Sequence, residues 1–164
     1  MKSAIVLQQV ADVAAVAAAV YRRTDEVSIL LASAITREVR LYGPTAAVPF
    51  DVVAAGCAAN MRAIFGAIAA GDDFDVTAAT RLGVDQARYG MPLSSVMEAY
   101  RVGFRRVWEA VDAEAATRPG MNGDALRTLT TKLLTAQDLF TNAMAAGYRK
   151  EQTAGSWATK RSGP

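Results

Sequence analysis

At 164 residues the chain has room for one domain, and a chain of this size buries about 70% of the surface its unfolded form exposes, so it can fold without a disulfide or a metal. Its 18 basic and 16 acidic side chains are interspersed and leave a formal charge of +2, which argues against the basic field that a nucleic-acid-binding surface needs. Histidine is absent, and with it go the commonest general base, the commonest metal ligand and the usual proximal haem ligand.

The single Cys57 cannot form an intramolecular bridge, which favours a reducing, cytoplasmic setting. No N-terminal stretch has the character of a cleaved leader. The expectation is also that no run approaches the roughly 20 apolar residues of a membrane span. The stretch "VADVAAVAAAV" comes nearest and is interrupted by Asp12.

Apolar residues recur at helical spacing and alternating β-branched runs are missing, so the predicted fold is all-α, a single bundle of about six helices. A first helix is expected over residues 3–20. A second runs over 24–41 with Thr24 as candidate N-cap. "YGPTAAVP" then breaks the chain through Gly43, Pro44 and Pro49. The third helix begins near Pro49 and ends at Gly71, with Phe50, Val53, Cys57, Ile64, Phe65 and Ile68 on its buried side.

Asp73 or Asp75 caps a shorter fourth helix that reaches Tyr89, where Gly90 is placed to adopt the left-handed conformation. Pro92 opens a fifth helix to about Thr117. After the loop "RPGMNGD", Asn122 or Asp124 caps a last long helix. Leu126, Leu129, Leu133, Gln137, Phe140, Met144 and Tyr148 mark its inward stripe. The domain thus covers 1–150, and 151–164 reads as a polar, flexible tail or linker in which Trp157 is out of character.

The fifth helix poses the main chemical question. Val96, Tyr100, Phe104 or Gly103, Val107 and Val111 fall at spacings of three and four, which is how a core stripe looks. Tyr100 and Trp108 each need a polar partner if buried, and Gly103 in mid-helix suggests a close helix crossing. Arg101, Arg105 and Arg106 are spaced for ion pairs with Glu98 and Glu109 on a solvated face. Arg101, one step from the aromatic stripe, is the one expected to be partly buried.

The acids of "GDDFD" sit at a helix start, where caps are expected, and lack the further ligands of a calcium loop. Cys57 in "AAGCAANM" has an apolar setting that favours an inert thiol. No phosphate loop, dinucleotide fingerprint, zinc spacing or nucleophile elbow is present. The chain therefore reads as a non-enzyme with no metal and no cofactor. A haem would have only Cys57, methionine or tyrosine for ligands.

The run from residue 35 to 150 resembles the helical N-terminal domain of PucR/CdaR-type bacterial transcriptional regulators, which is related to the RsbRD N-terminal domain family. The resemblance rests on "REVRLYG", "VPFDVVAAGCAANMRAIFGAI", "ATRLGVDQARYGMPLSSVMEAYRVGFRRVWEAV" and "DLFTNAMAAGYRKEQ". It implies a globin-like all-α bundle without haem that forms a homodimer and serves as an input module. Structural roles are implied for Arg88, Gly90, Pro92, Tyr100, Arg101, Gly103 and Trp108.

The leading expectation is a non-catalytic sensory and dimerisation domain of a cytoplasmic transcriptional regulator. DNA would be reached only through a separate helix-turn-helix domain. The alternative is a helical-bundle sensor or carrier of an apolar small molecule such as an acyl chain, with Tyr100 and Arg101 as anchors. Neither requires a membrane.

Overall fold

Alanine-rich, helically spaced sequence gives six α-helices and no strand among the described residues: α1 (Lys2–Arg22), α2 (Thr24–Glu38), α3 (Phe50–Ala70), α4 (Thr77–Arg88), α5 (Leu93–Ala116) and α6 (Gly123–Arg161). The computed structural model describes residues 1–161, and the side chains of Trp157 and Thr159 lie outside that description. The architecture is an all-α bundle. α3 packs between α1 and α2, α2 also lies on α5, and α4 pairs most extensively with α6.

Helix ends follow local chemistry, with three departures from expectation. Thr24 is not a cap. Its hydroxyl donates back to the Tyr21 carbonyl at 2.5 Å, and Arg23 alone separates α1 from α2. α2 stops at Glu38 because Val39 turns extended (φ −104°, ψ 110°); a 3-10 turn over Arg40–Tyr42 then carries Tyr42 into the core. Phe50, in the first turn of α3 at the bundle's edge, is 45% exposed, whereas Val53, Ile64, Phe65 and Ile68 are buried and Cys57 is half-buried.

The other signals act as read. Gly71 and Gly90 each take φ 73°, and Asp72 and Met91 donate their amides back five residues, to Ala67 and Gln86, which closes α3 and α4. Asp75 accepts from the amide and hydroxyl of Thr77 at 2.9 and 2.6 Å. Asn122 Oδ1 accepts the amides of Asp124 and Ala125, both at 3.0 Å. Pro92 occupies the N-cap position of α5.

α6 does not end near residue 150. It continues through Arg161, so residues 151–161 are helix rather than flexible tail. Extending a formed helix adds one hydrogen bond per residue and avoids a new nucleation step, which offsets the roughly 1 kcal/mol cost of Gly155. On the same helix Leu126 is 40% exposed, while Leu129, Leu133, Ala136, Phe140, Met144 and Tyr148 are buried.

Two further expectations are corrected. Both α1 and α3 are long and apolar enough, by length and composition alone, to cross a membrane. α3 nevertheless spends its apolar side inside the bundle, on Val53, Met61, Ile64, Phe65 and Ile68. Gly103 makes no close crossing: a Cβ there would meet only Ile35 Cδ1, at an ordinary 3.9 Å. The close approach lies elsewhere, between α4 and α6, where a Cβ on Gly83 would stand 2.0 Å from the Met144 carbonyl oxygen.

Candidate functional site

α2, α3, α4 and α5 do not close fully on one another. They leave a cavity of about 330 Å³ walled by apolar side chains that include Leu31, Met61, Leu82, Val96 and Phe104. Small residues on α3 make the space. Gly56 has no Cβ, and one built there would stand 2.8 Å from Leu82 Cδ1, so Leu82 of α4 lies directly over the α3 backbone. The exposed Ala55 and Ala59 of α3 and the exposed Arg81 of α4 mark the solvent side of the lining.

The polar groups that α3 and α5 bring to the wall are few and neutral, and the charged Arg81 and Asp85 come from α4. Asn60 Nδ2 donates to the Tyr100 hydroxyl at 2.9 Å, while Asn60 Oδ1 is buried and has no hydrogen-bond partner. Tyr42 donates to Gln86 Oε1 at 2.6 Å, tying the 3-10 turn to α4. Burial pushes the phenols of Tyr100 and Tyr42 above their ordinary range, and the Cys57 thiol up to about 12. All three groups are uncharged near neutrality.

Tyr100 and Arg101 part company here. Tyr100 is 9% exposed, lies on the cavity wall and tilts against Phe104 with ring centroids 6.1 Å apart. Arg101, the next residue, points to solvent, outside the cavity lining, and makes no ion pair among the described residues. Successive helical residues are turned by about 100°, so one step from a buried stripe suffices to expose a side chain. Gly103 lines the cavity; Trp108 is half-buried against the core beyond it.

The arginines of α5 bind across helices as well as along one. Arg105 and Arg106 both reach Glu38 at the end of α2, Arg106 at 2.7 Å, and Arg106 also holds Glu109 at 2.9 Å. The hydrogen bond from Arg106 holds the Glu38 carboxyl below its ordinary range, aided by the nearby positive charges of Arg105, Arg106 and Arg37. Arg88 pairs with Glu151 of α6 at 2.9 Å. Gly90 and Pro92 form the α4–α5 joint, which is pinned by the Tyr148 hydroxyl donating to the Met91 carbonyl at 2.5 Å.

Sequence reasoning missed Asn60, Gln86, Tyr42, Glu38 and the close approach of Gly83 to the backbone of α6. Asn60 had a signal, as the lone amide in the apolar run "GCAANMRAIF". Among the described residues, no three of the Cys, Asp and Glu side chains gather into a metal-binding group.

The profile of the RsbT co-antagonist protein rsbRD N-terminal domain matches residues 25–162, which leaves α1 and the first residue of α2 before it. No curated protein and no solved structure matches the chain. With α3 to α6 and the whole cavity inside the matched region, the chain belongs to the rsbRD N-terminal domain family, a family of regulatory domains.

Proposed function

We propose that this chain is a non-catalytic input domain that senses an apolar small molecule, forms a homodimer and controls an output domain of a transcriptional regulator. That output is a helix-turn-helix, attached or on a partner chain. The cavity is the observation that carries the reading. Its volume of about 330 Å³ falls within the range of small-molecule sites, and its walls are apolar with a few polar groups.

The packing offers a route from ligand to output. Leu82 and its α4 neighbours form one wall of the cavity, and the adjacent Gly83 presses α4 against the backbone of α6. A ligand that displaces Leu82 therefore shifts α4, and α4 carries α6 with it. Such sliding of packed helices is a common way to bias a two-state element. Dimerisation has support in the first half of α1, where Ile5, Val6, Leu7 and Val10 are exposed.

The family's description favours a second reading of the output. It names a co-antagonist of RsbT, a protein target rather than DNA. Both readings share the sensing step. Sedimentation of the purified chain, with and without an apolar ligand, tests that step: a ligand-dependent change in the dimer's association supports it, and an unchanging monomer contradicts it.

A further inference from the structure

Asn60 lines the cavity and its buried Oδ1 lacks a hydrogen-bond partner, a lack that bears on what kind of molecule the cavity takes. We infer that the ligand is a neutral molecule with an apolar body and one hydroxyl group, which completes the Asn60–Tyr100 pair. This rests on the sensing role proposed above and narrows it to a ligand class.

Asn60 and Tyr100 share one hydrogen bond, and Asn60 Oδ1 remains buried without a partner. Exchanging the oxygen and nitrogen of the amide would let Tyr100 donate instead, and would leave two N–H donors open in place of the acceptor. In either orientation the pair is incomplete. A buried polar group without a partner is costly, so the site gains most from a guest that supplies one. A hydroxyl can donate or accept, and it satisfies both orientations.

Charge argues against an ionised head at that position. The lining residues of α3 and α5, the helices that carry Asn60 and Tyr100, are apolar or neutral, with Tyr100 and Cys57 both held uncharged by burial. Arg81 and Asp85, the charged residues of the lining, both belong to α4. A carboxylate or ammonium placed beside Asn60 would lose its hydration without gaining a counter-ion from α3 or α5. Size sets the remaining limit. An apolar cavity of about 150 Å³ takes benzene, so a volume of about 330 Å³ suits a guest roughly twice as large.

Calorimetric titration of the full chain with n-octanol, octanoate, octylammonium and n-butylbenzene tests the assignment. A double variant, Asn60→Leu with Tyr100→Phe, removes both polar partners together, which leaves neither one stranded. The wild type is expected to bind the alcohol about tenfold more tightly than either ion. The double variant should lose about that factor for the alcohol while keeping its affinity for n-butylbenzene. Equal losses for alcohol and hydrocarbon would overturn the role of the pair. Tighter binding of octanoate, abolished by Arg81→Ala, would make the ligand an acid and overturn the inference while leaving the sensing role intact. A folded wild type that binds none of the four overturns both.

Discussion

Gly83 and Gly147 let the backbones of α4 and α6 touch: a Cβ on Gly83 would lie 2.0 Å from the Met144 carbonyl oxygen, and one on Gly147 2.2 Å from that of Thr80. The obstructing atoms are backbone, so the helices themselves would have to separate. Gly83→Ala and Gly147→Ala should each destabilise the domain by about 1–3 kcal/mol, despite alanine's better helix propensity. Gly103→Ala is the control. Its new methyl meets only an ordinary contact, so it should be neutral or stabilising by up to about 1 kcal/mol. Urea unfolding of the three variants checks the contrast.

Glu38 gives the fold an acid-sensitive tie between α2 and α5. Its folded-state pKa is lowered, chiefly by the hydrogen bond from Arg106, so its contribution to stability is present above the ordinary value of 4.5 and fades as pH falls through the lowered one. The difference in Tm between wild type and Glu38→Gln should therefore be present at neutral pH and shrink below about pH 4.5. A difference that stays constant across that window would remove the ion pair as its cause. Glu38 is 26% exposed, so the effect is expected to be small.

Cys57 should be slow to react. Burial moves its thiol from 9.0 up to about 12, which cuts the thiolate fraction near neutrality by roughly a thousandfold. Alkylation by iodoacetamide near neutral pH should be slower than that of an unfolded control by about that order, and slower still with the cavity occupied, since Cys57 is part of its lining. Rapid labelling of the folded chain would show the wall to be open.

The exposed apolar side of α1 bears on assembly. Leu7 and Val10, three residues apart, are 70% and 59% exposed. Replacing both by glutamate should weaken the proposed homodimer about tenfold or more, and leave the helical circular dichroism unchanged. Light scattering across a concentration series measures this; an unaltered dimer would place the interface elsewhere.

Much of the fold is readable from the residues because it depends on local chemistry. Gly71, Gly90, Asp75, Asn122 and Pro92 each act within a few residues of themselves, and the α5 stripe follows from helical spacing. The features that escaped depend on which helices meet. Nothing near Gly103 in the chain distinguishes it from Gly83, yet one faces a cavity and the other a helix backbone. Adjacency in the chain groups Arg101 with Tyr100, and a helix turns that adjacency into separation. Glu38 lies far from Arg105 and Arg106 in sequence, so near neighbours such as Glu98 were the natural partners to expect. The continuation of α6 to Arg161 was hidden by a polar, glycine-containing composition.

The most direct test of the central claim is native mass spectrometry of the gently purified chain, set beside the mass of its denatured form. A ligand-sensing input domain predicts a dimer that carries a discrete extra mass, which disappears when Ala55→Phe narrows the cavity at its solvent side. A monomer of bare chain mass, unchanged by that substitution, would contradict it.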